Sequence, residues 1–211
     1  MLLFDRWNID YCFRGHLTLA EAADGAGLEL AEALSELRRL NRQTAAPNWN
    51  ECSIHEVLNQ LVEVHHAFTA RSLVGLRPAV TKVLLTHGPY YDFLSYLSEA
   101  TEGLFANLER HMKQENGVFF PLIRQFVDSR LVPETLPDVL VELEGDHEEI
   151  GEHFRLIREI TANYKTPDDA CTTFRALYSG LMEMEKDMKV HIHLENNVLL
   201  PKVRGLMQTT P

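Results

Sequence analysis

The sequence predicts an all-α protein, an antiparallel four-helix bundle preceded by a small helical N-terminal domain. Three observations carry that expectation. From Ser53 onward apolar residues recur at helical spacing almost without a break. No segment alternates as a strand does, and Asn116-Gly117, a hairpin signal in other settings, sits inside the helical periodicity. The connections between helical stretches are short, which makes sequential helices antiparallel neighbours.

The elements follow in order. Residues 1–40 read as one small unit. Thr18 and Glu21 have the spacing of a capping box, so a short helix is expected to end near Asp24-Gly25 and a second to run from about Leu28 to Leu40. Residues 41–52 are polar, contain Pro47 and lack periodicity, which marks a linker. The bundle then occupies residues 53–205. Ser53 and Glu56 form a second capping box at the head of the first long helix, which Gly75 and Pro78 interrupt or kink. A second helix is expected from about Tyr90 to Val127 and a third from about Pro137 to Tyr164. Thr166-Pro167-Asp168-Asp169 supplies an N-cap, a proline for the first helical position and acids for the first turn, so the fourth helix is expected to start there and reach about Val203.

The chain has 211 residues, 45% of them hydrophobic, which suffices for a substantial core. Its formal net charge of -11 argues against nucleic acid or an anionic membrane as partner, because phosphate contacts need clustered Lys and Arg. Cys12, Cys52 and Cys171 are odd in number, far apart and without a CxxC pair, which argues against a zinc ribbon or a disulfide framework and fits a reducing cytosol. The N-terminus carries charge within six residues and has no long apolar run, unlike a signal peptide. No 18-residue apolar stretch occurs, so a cytoplasmic protein without membrane contact is expected.

HMKQENGVFFP (111–121) and HIHLENNVLLP (191–201) share the pattern H-x-x-x-E-N-x-V-x-x-P, 80 residues apart. Each of the four long helices places a histidine on its apolar stripe. His65 follows Ile54, Leu58 and Leu61 and precedes Phe68; His111 and Glu115 lie between Leu108 and the pair Val118 and Leu122. His147 lies between Leu143 and Ile150, and His191 and Glu195 lie between Met188 and Val198. Residues four apart share a helix face about 6 Å apart along the axis, so each His–Glu pair can reach one interior site. Two buried carboxylates without compensation are too costly to be a packing accident, and a cation compensates them. Four imidazoles and two carboxylates suit two metal ions, with the carboxylates free to bridge, and the mix of N and O favours iron or manganese over zinc. His66 and His193 face away from the stripes, His55 sits at a helix start, His16 in the N-terminal unit and His153 on a mixed face. His87, at the end of the first helical region, is near the site or its access path but is not assigned as a ligand. Asp146 and Glu144 flank His147 and could orient it, with surface acids the preferred reading, and Pro121 and Pro201 read as kinks or stops.

The phrases WNIDYCFRGHLTLAEAA, VEVHH, RHMKQENGVFFP, EGDHEEIGEH, NYKTPDDACTTFRALY and VHIHLENNVLLP, in that order, resemble the iron–sulfur cluster repair di-iron family, in which a small domain precedes a hemerythrin-like bundle. The resemblance covers nearly the whole chain, and the order and completeness of the motifs make it specific. It implies two non-heme iron ions with His65, His111, His147 and His191 as terminal ligands and Glu115 and Glu195 as bridges, beside an oxo or hydroxo group. It also implies restoration of clusters damaged by nitric oxide or oxidants, through iron donation or nitric oxide chemistry, with apo iron–sulfur proteins as partners. A hemerythrin-like module that binds or senses dioxygen or nitric oxide is the alternative, and a plain helical interaction protein with core histidines is the third reading. A monomer or a homodimer fits each. The family's small domain has two adjacent cysteines where this chain has Cys12-Phe13. Cys12, near Arg14 and His16, is therefore a single candidate thiol, with a half-buried structural role as its other reading.

Overall fold

The computed structural model describes residues 3, 4, 7, 9, 18–40 and 48–210. Cys12 and residues 41–47 of the linker lie outside the described residues. The Thr18 hydroxyl accepts from the Glu21 N–H while the Glu21 carboxylate receives the Thr18 N–H, so the capping box starts α1 (Leu19–Gly25) as expected. Gly27, at φ 68°, takes the left-handed turn into α2 (Leu30–Leu40), which begins two residues later than its pattern suggests.

Four long helices make up the rest. Ser53 and Glu56 close the second capping box at the head of α3, residues 54–87. Next come α4, residues 93–129, then α5 (Leu136–Ile160), then α6, residues 172–209. Cross-links fix their directions. Arg124 with Asn59 and Arg77 with Glu102 run α3 against α4; Gln114 with Glu142 and Arg110 with Glu149 run α4 against α5. Arg204 with Glu144 and Arg158 with Glu185 run α5 against α6, and His65 with Asp187 runs α6 back against α3. In each of the first three helix pairs one number rises as the other falls, so the direction alternates along the chain, which is the up–down–up–down bundle. No helix among the described residues is long and apolar enough to cross a membrane.

Several boundaries differ from the sequence expectation: α4 begins at Phe93 rather than near Tyr90, α6 runs on to Thr209 rather than to about Val203, and two others have a visible cause. The Thr166–Asp169 start signal does not open the last helix; Ala170 N–H closes a turn on the Pro167 carbonyl, and α6 begins only at Thr172 with Cys171 as its N-cap. Arg175 donates to the carbonyls of Ala170 and Asp168, and Tyr91 donates to Asp169, so side chains hold the turn open where local preference favours helix. The third helix stops at Ile160 because Ala162, Asn163 and Tyr164 are all left-handed, with φ from 48° to 59°.

The helices are not uniformly α. A π turn widens α3 at Leu61–His66, α4 at Glu115–Phe119 and α6 at Glu195–Leu199, whereas α5 has none. In α4 and α6 the N–H of Phe120 and Leu200 reaches back five residues to the carbonyls of Glu115 and Glu195, and Pro121 and Pro201 follow at once. A return from π to α spacing leaves one carbonyl without a donor, and the proline, which brings no N–H, falls at that change of register. Both helices continue past their prolines, so neither proline is the expected stop; each follows a change of hydrogen-bond register. Gly75 and Pro78 do not interrupt α3 either; Ala67–His87 is one α-helical stretch.

Each π turn adds a residue to its turn and shifts the inward face by one position. After Glu115 the buried residues are Phe119, Phe120, Ile123 and Phe126, while Val118, expected on the stripe, is exposed. After His65 the buried position is Thr69, not Phe68, followed by Leu73, Leu76, Val80 and Val83. The core falls into two apolar clusters. One holds Leu73, Leu104, Leu108, Ile150, Met184 and Met188; the other holds Leu58, Leu61, Phe120, Leu143, Leu199 and Val203. The histidines and glutamates lie between them.

Candidate metal centre

Two groups of potential ligands stand at the level of the π turns. His111, Glu115, His147 and Glu195 place ligand atoms within 4.8 Å of one another, and so do His66, Glu115 and His191. All are buried, His111, Glu115, His191 and Glu195 completely. Glu115 belongs to both groups, its Oε2 3.0 Å from His66 Nε2 and 3.3 Å from His111 Nε2. Glu195 also spans them, with Oε1 3.2 Å from His191 Nε2 and Oε2 2.9 Å from His147 Nε2.

Most of these contacts are close without being hydrogen bonds. Among the described residues, Nε2 of His66, His111 and His147, both oxygens of Glu115 and Oε2 of Glu195 are buried with no hydrogen-bond partner. Orphaned lone pairs a few ångströms apart, poorly aligned for donation, suit ligands that face a common cation: two ligands at right angles, each about 2.1 Å from a metal, lie about 3.0 Å from each other. The donor chemistry therefore fits a hard or borderline cation bound by N and O.

On two of the imidazoles the other nitrogen is held from outside, whereas Nδ1 of His111 and of His191 has no hydrogen-bond partner among the described residues. His66 Nδ1–H donates to Asn116 Oδ1 at 3.0 Å and His147 Nδ1–H to Asn196 Oδ1 at 2.8 Å. This explains the asparagine of the repeated H-x-x-x-E-N. Each Asn, next to its glutamate, reaches a histidine of a neighbouring helix and fixes the tautomer that leaves Nε2 free to bind. Asp146 does not orient His147; Arg110 Nη1 holds it at 3.0 Å, and its Oδ2 lies 3.8 Å from His111 Nδ1. Glu144 pairs with Arg204 on the surface. Asn196→Leu is expected to weaken ferrous iron binding about 10- to 100-fold, read by competition with a chelator; an unchanged affinity would mean that the tautomer is set elsewhere.

Of the sequence-predicted ligands, His111, Glu115, His147, His191 and Glu195 come together. His65 belongs to neither group. It is buried at the same level, its Nδ1–H donates to Asp187 Oδ1 at 3.0 Å, and its ring stacks on His191 with centroids 5.7 Å apart. Its neighbour His66, which a strict 3.6-residue period turns outward, is the α3 histidine against Glu115, because the π turn ending at His66 brings both residues inward. His87 is not near the centre. It lies 21 residues beyond His66, about 30 Å along the helix, and contacts Cys171 Sγ at 3.2 Å. That contact, with backbone N–H groups of Phe174 and Thr173, lowers the Cys171 thiol to about 7.

Without a cation the site is strained electrostatically. Burial and the charge of Glu195 push Glu115 well above the usual carboxylate range. Burial acts the same way on Glu195 but is outweighed by His191 and His147, which hold it well below that range. Burial and the neighbouring His191 depress His66 from 6.5 to about 3. In metal-free protein an unfolded His66 takes up a proton below pH 6.5 that the folded one refuses until about 3. The stability from His66 is therefore intact above pH 6.5 and lost as pH falls from there towards 3. Glu115, raised on folding, acts in the opposite direction. Metal-free His66→Leu is expected to melt with a flatter acid dependence than wild type over that window, as followed by circular dichroism.

An up–down–up–down bundle whose facing helices aim histidines and paired carboxylates at one buried point defines the class of cation-binding helical bundles with mixed N and O ligands. The chain belongs to the hemerythrin HHE cation binding domain family, which it matches over residues 56–203. It is also 32% identical over 200 residues, 95% of its length and 89% of theirs, to the proteins named iron-sulfur cluster repair protein YtfE in Shigella boydii serotype 4 and Escherichia coli O157:H7. The same identity and coverage hold for the protein of that name in Citrobacter koseri.

Proposed function

We propose that this chain is a non-heme di-iron protein that repairs iron–sulfur clusters damaged by nitric oxide or oxidative stress, through iron donation, nitric oxide chemistry at the centre, or both. The observation that carries the reading is the pair of ligand groups joined by both glutamates. His66 and His191 would hold one iron, His111 and His147 the other, and Glu115 and Glu195 would bridge them, His66 taking the position that periodicity gives to His65. The names of the relatives support repair over a dioxygen- or nitric oxide-sensing module. When bound, two adjacent irons supply two electrons and coordination positions for a small molecule. The protein's own part is to hold imidazole tautomers with Asn116 and Asn196, to balance charge with two carboxylates, and to keep water out with an apolar cluster on either side.

The division into a small helical unit at 1–40, a linker at 41–52 and the bundle at 53–205 belongs to the same proposal, the small unit with Cys12 being the part offered to an iron–sulfur protein partner. The test pairs two measurements. Protein reconstituted anaerobically with ferrous iron is assayed for iron content, then for recovery of a cluster-dependent hydratase previously exposed to nitric oxide. Recovery with wild type and its loss with Glu115→Leu supports repair. Equal recovery with both proteins overturns it.

A further inference from the structure

One buried orphan in the bundle is not a metal-ligand type. Thr69 Oγ1 has no hydrogen-bond partner among the described residues, and Thr69 is 1% exposed. A buried helical threonine has a default solution, donation to the carbonyl four residues back. The two other buried threonines, Thr101 and Thr161, do this at 2.8 Å and 2.7 Å. Thr69 does not, so its hydroxyl carries the cost of a buried, unsatisfied polar group.

Its position gives that cost a use. Thr69 stands four residues after His65 and three after His66 on regular α-helix, so it shares their inward face about one turn, or roughly 5 Å, further along α3. The next inward residue is Leu73, and with it begins the apolar cluster containing Leu104, Leu108, Ile150 and Met188. Thr69 is thus the polar group at the boundary between the ligand layer and that cluster.

We propose that Thr69 is a ligand-binding residue, the hydrogen-bond donor to a small, linear exogenous ligand of the azide or nitric oxide type that enters the cation centre from the Leu73 side. The inference rests on the cation-centre reading above. A ligand that is anionic, as azide is, or that gains negative charge once bound, as nitric oxide does on a reduced metal, is a better acceptor than a ligand of the same size that stays neutral, so a donor beside an apolar cluster favours it.

The test uses Thr69→Val, which keeps the shape and removes the hydroxyl, with Thr69→Ser as the variant that keeps the donor. Three readouts are expected. Metal-free Thr69→Val melts above metal-free wild type, because an unsatisfied hydroxyl is gone. Iron content is unchanged in both variants. Azide titrated into iron-loaded protein binds about tenfold more weakly to Thr69→Val, the equivalent of one hydrogen bond, and near wild-type strength to Thr69→Ser. Azide affinity unchanged in Thr69→Val, or no azide binding to loaded wild type, overturns the assignment of Thr69 while leaving the cation centre standing. Failure of wild type to take up iron overturns both.

Discussion

Glu115→Leu is expected to cut iron loading from two ions per chain to one or fewer, and Glu195→Leu to do the same. Each carboxylate contacts histidines of both ligand groups, so neither group survives intact when one is removed. The remaining imidazoles are neutral donors, and two cations in a site closed to water need anionic compensation that a single glutamate does not supply. Leucine is close enough in volume to keep the core filled. It also relieves the metal-free protein of a carboxyl that burial holds far from its ordinary range. The two effects therefore have opposite signs: metal-free Glu115→Leu is expected to be at least as stable as metal-free wild type, yet to gain little on addition of ferrous iron. Anaerobic iron titration with elemental analysis reads the first effect and thermal melting the second. Two irons retained in both variants would remove the glutamates from the centre.

His66→Ala is expected to reduce loading towards one iron, whereas His65→Ala retains both and weakens them moderately. His66 Nε2 faces Glu115 and belongs to the ligand group with His191, so its loss removes one of the two imidazoles proposed to hold that iron. His65 packs on the His191 ring and is tied to Asp187, so its loss loosens the orientation of a ligand without removing one. Iron stoichiometry decides between the two residues. Loss of an iron in His65→Ala with full loading in His66→Ala would reverse the assignment and place the α3 ligand where uniform helical periodicity puts it.

That contrast shows what the sequence made legible. The bundle, its capping boxes and five of the clustered residues follow from apolar period and from the repeated His–Glu spacing. His66 does not, because a period of 3.6 assumes a uniform helix and α3 changes pitch at Leu61–His66. The same slip misplaces Val118 and Phe68 and hides Thr69. A signal was present in α4 and α6: the prolines recur at one offset from both glutamates, where a change of hydrogen-bond register tolerates a missing N–H. The asparagines of the repeat were visible too, but their targets, His66 and His147, lie on other helices, which local spacing cannot encode. The late start of α6 was illegible for a similar reason, since Tyr91 and Arg175 hold the preceding turn through contacts that no helix-capping preference anticipates.

The placement of the ligand groups sets an order of events in the making of the protein. The hairpin of α3 and α4 carries His66, His111 and Glu115; the hairpin of α5 and α6 carries His147, His191 and Glu195. Neither hairpin completes either ligand group, since each group draws on both. A nascent chain that has released only its first hairpin from the ribosome offers one carboxylate and two imidazoles of the two groups, and the second glutamate emerges only with the second hairpin. Metal therefore cannot template the early half of the fold. A cation that needs a complete ligand group would enter only after the two hairpins have met.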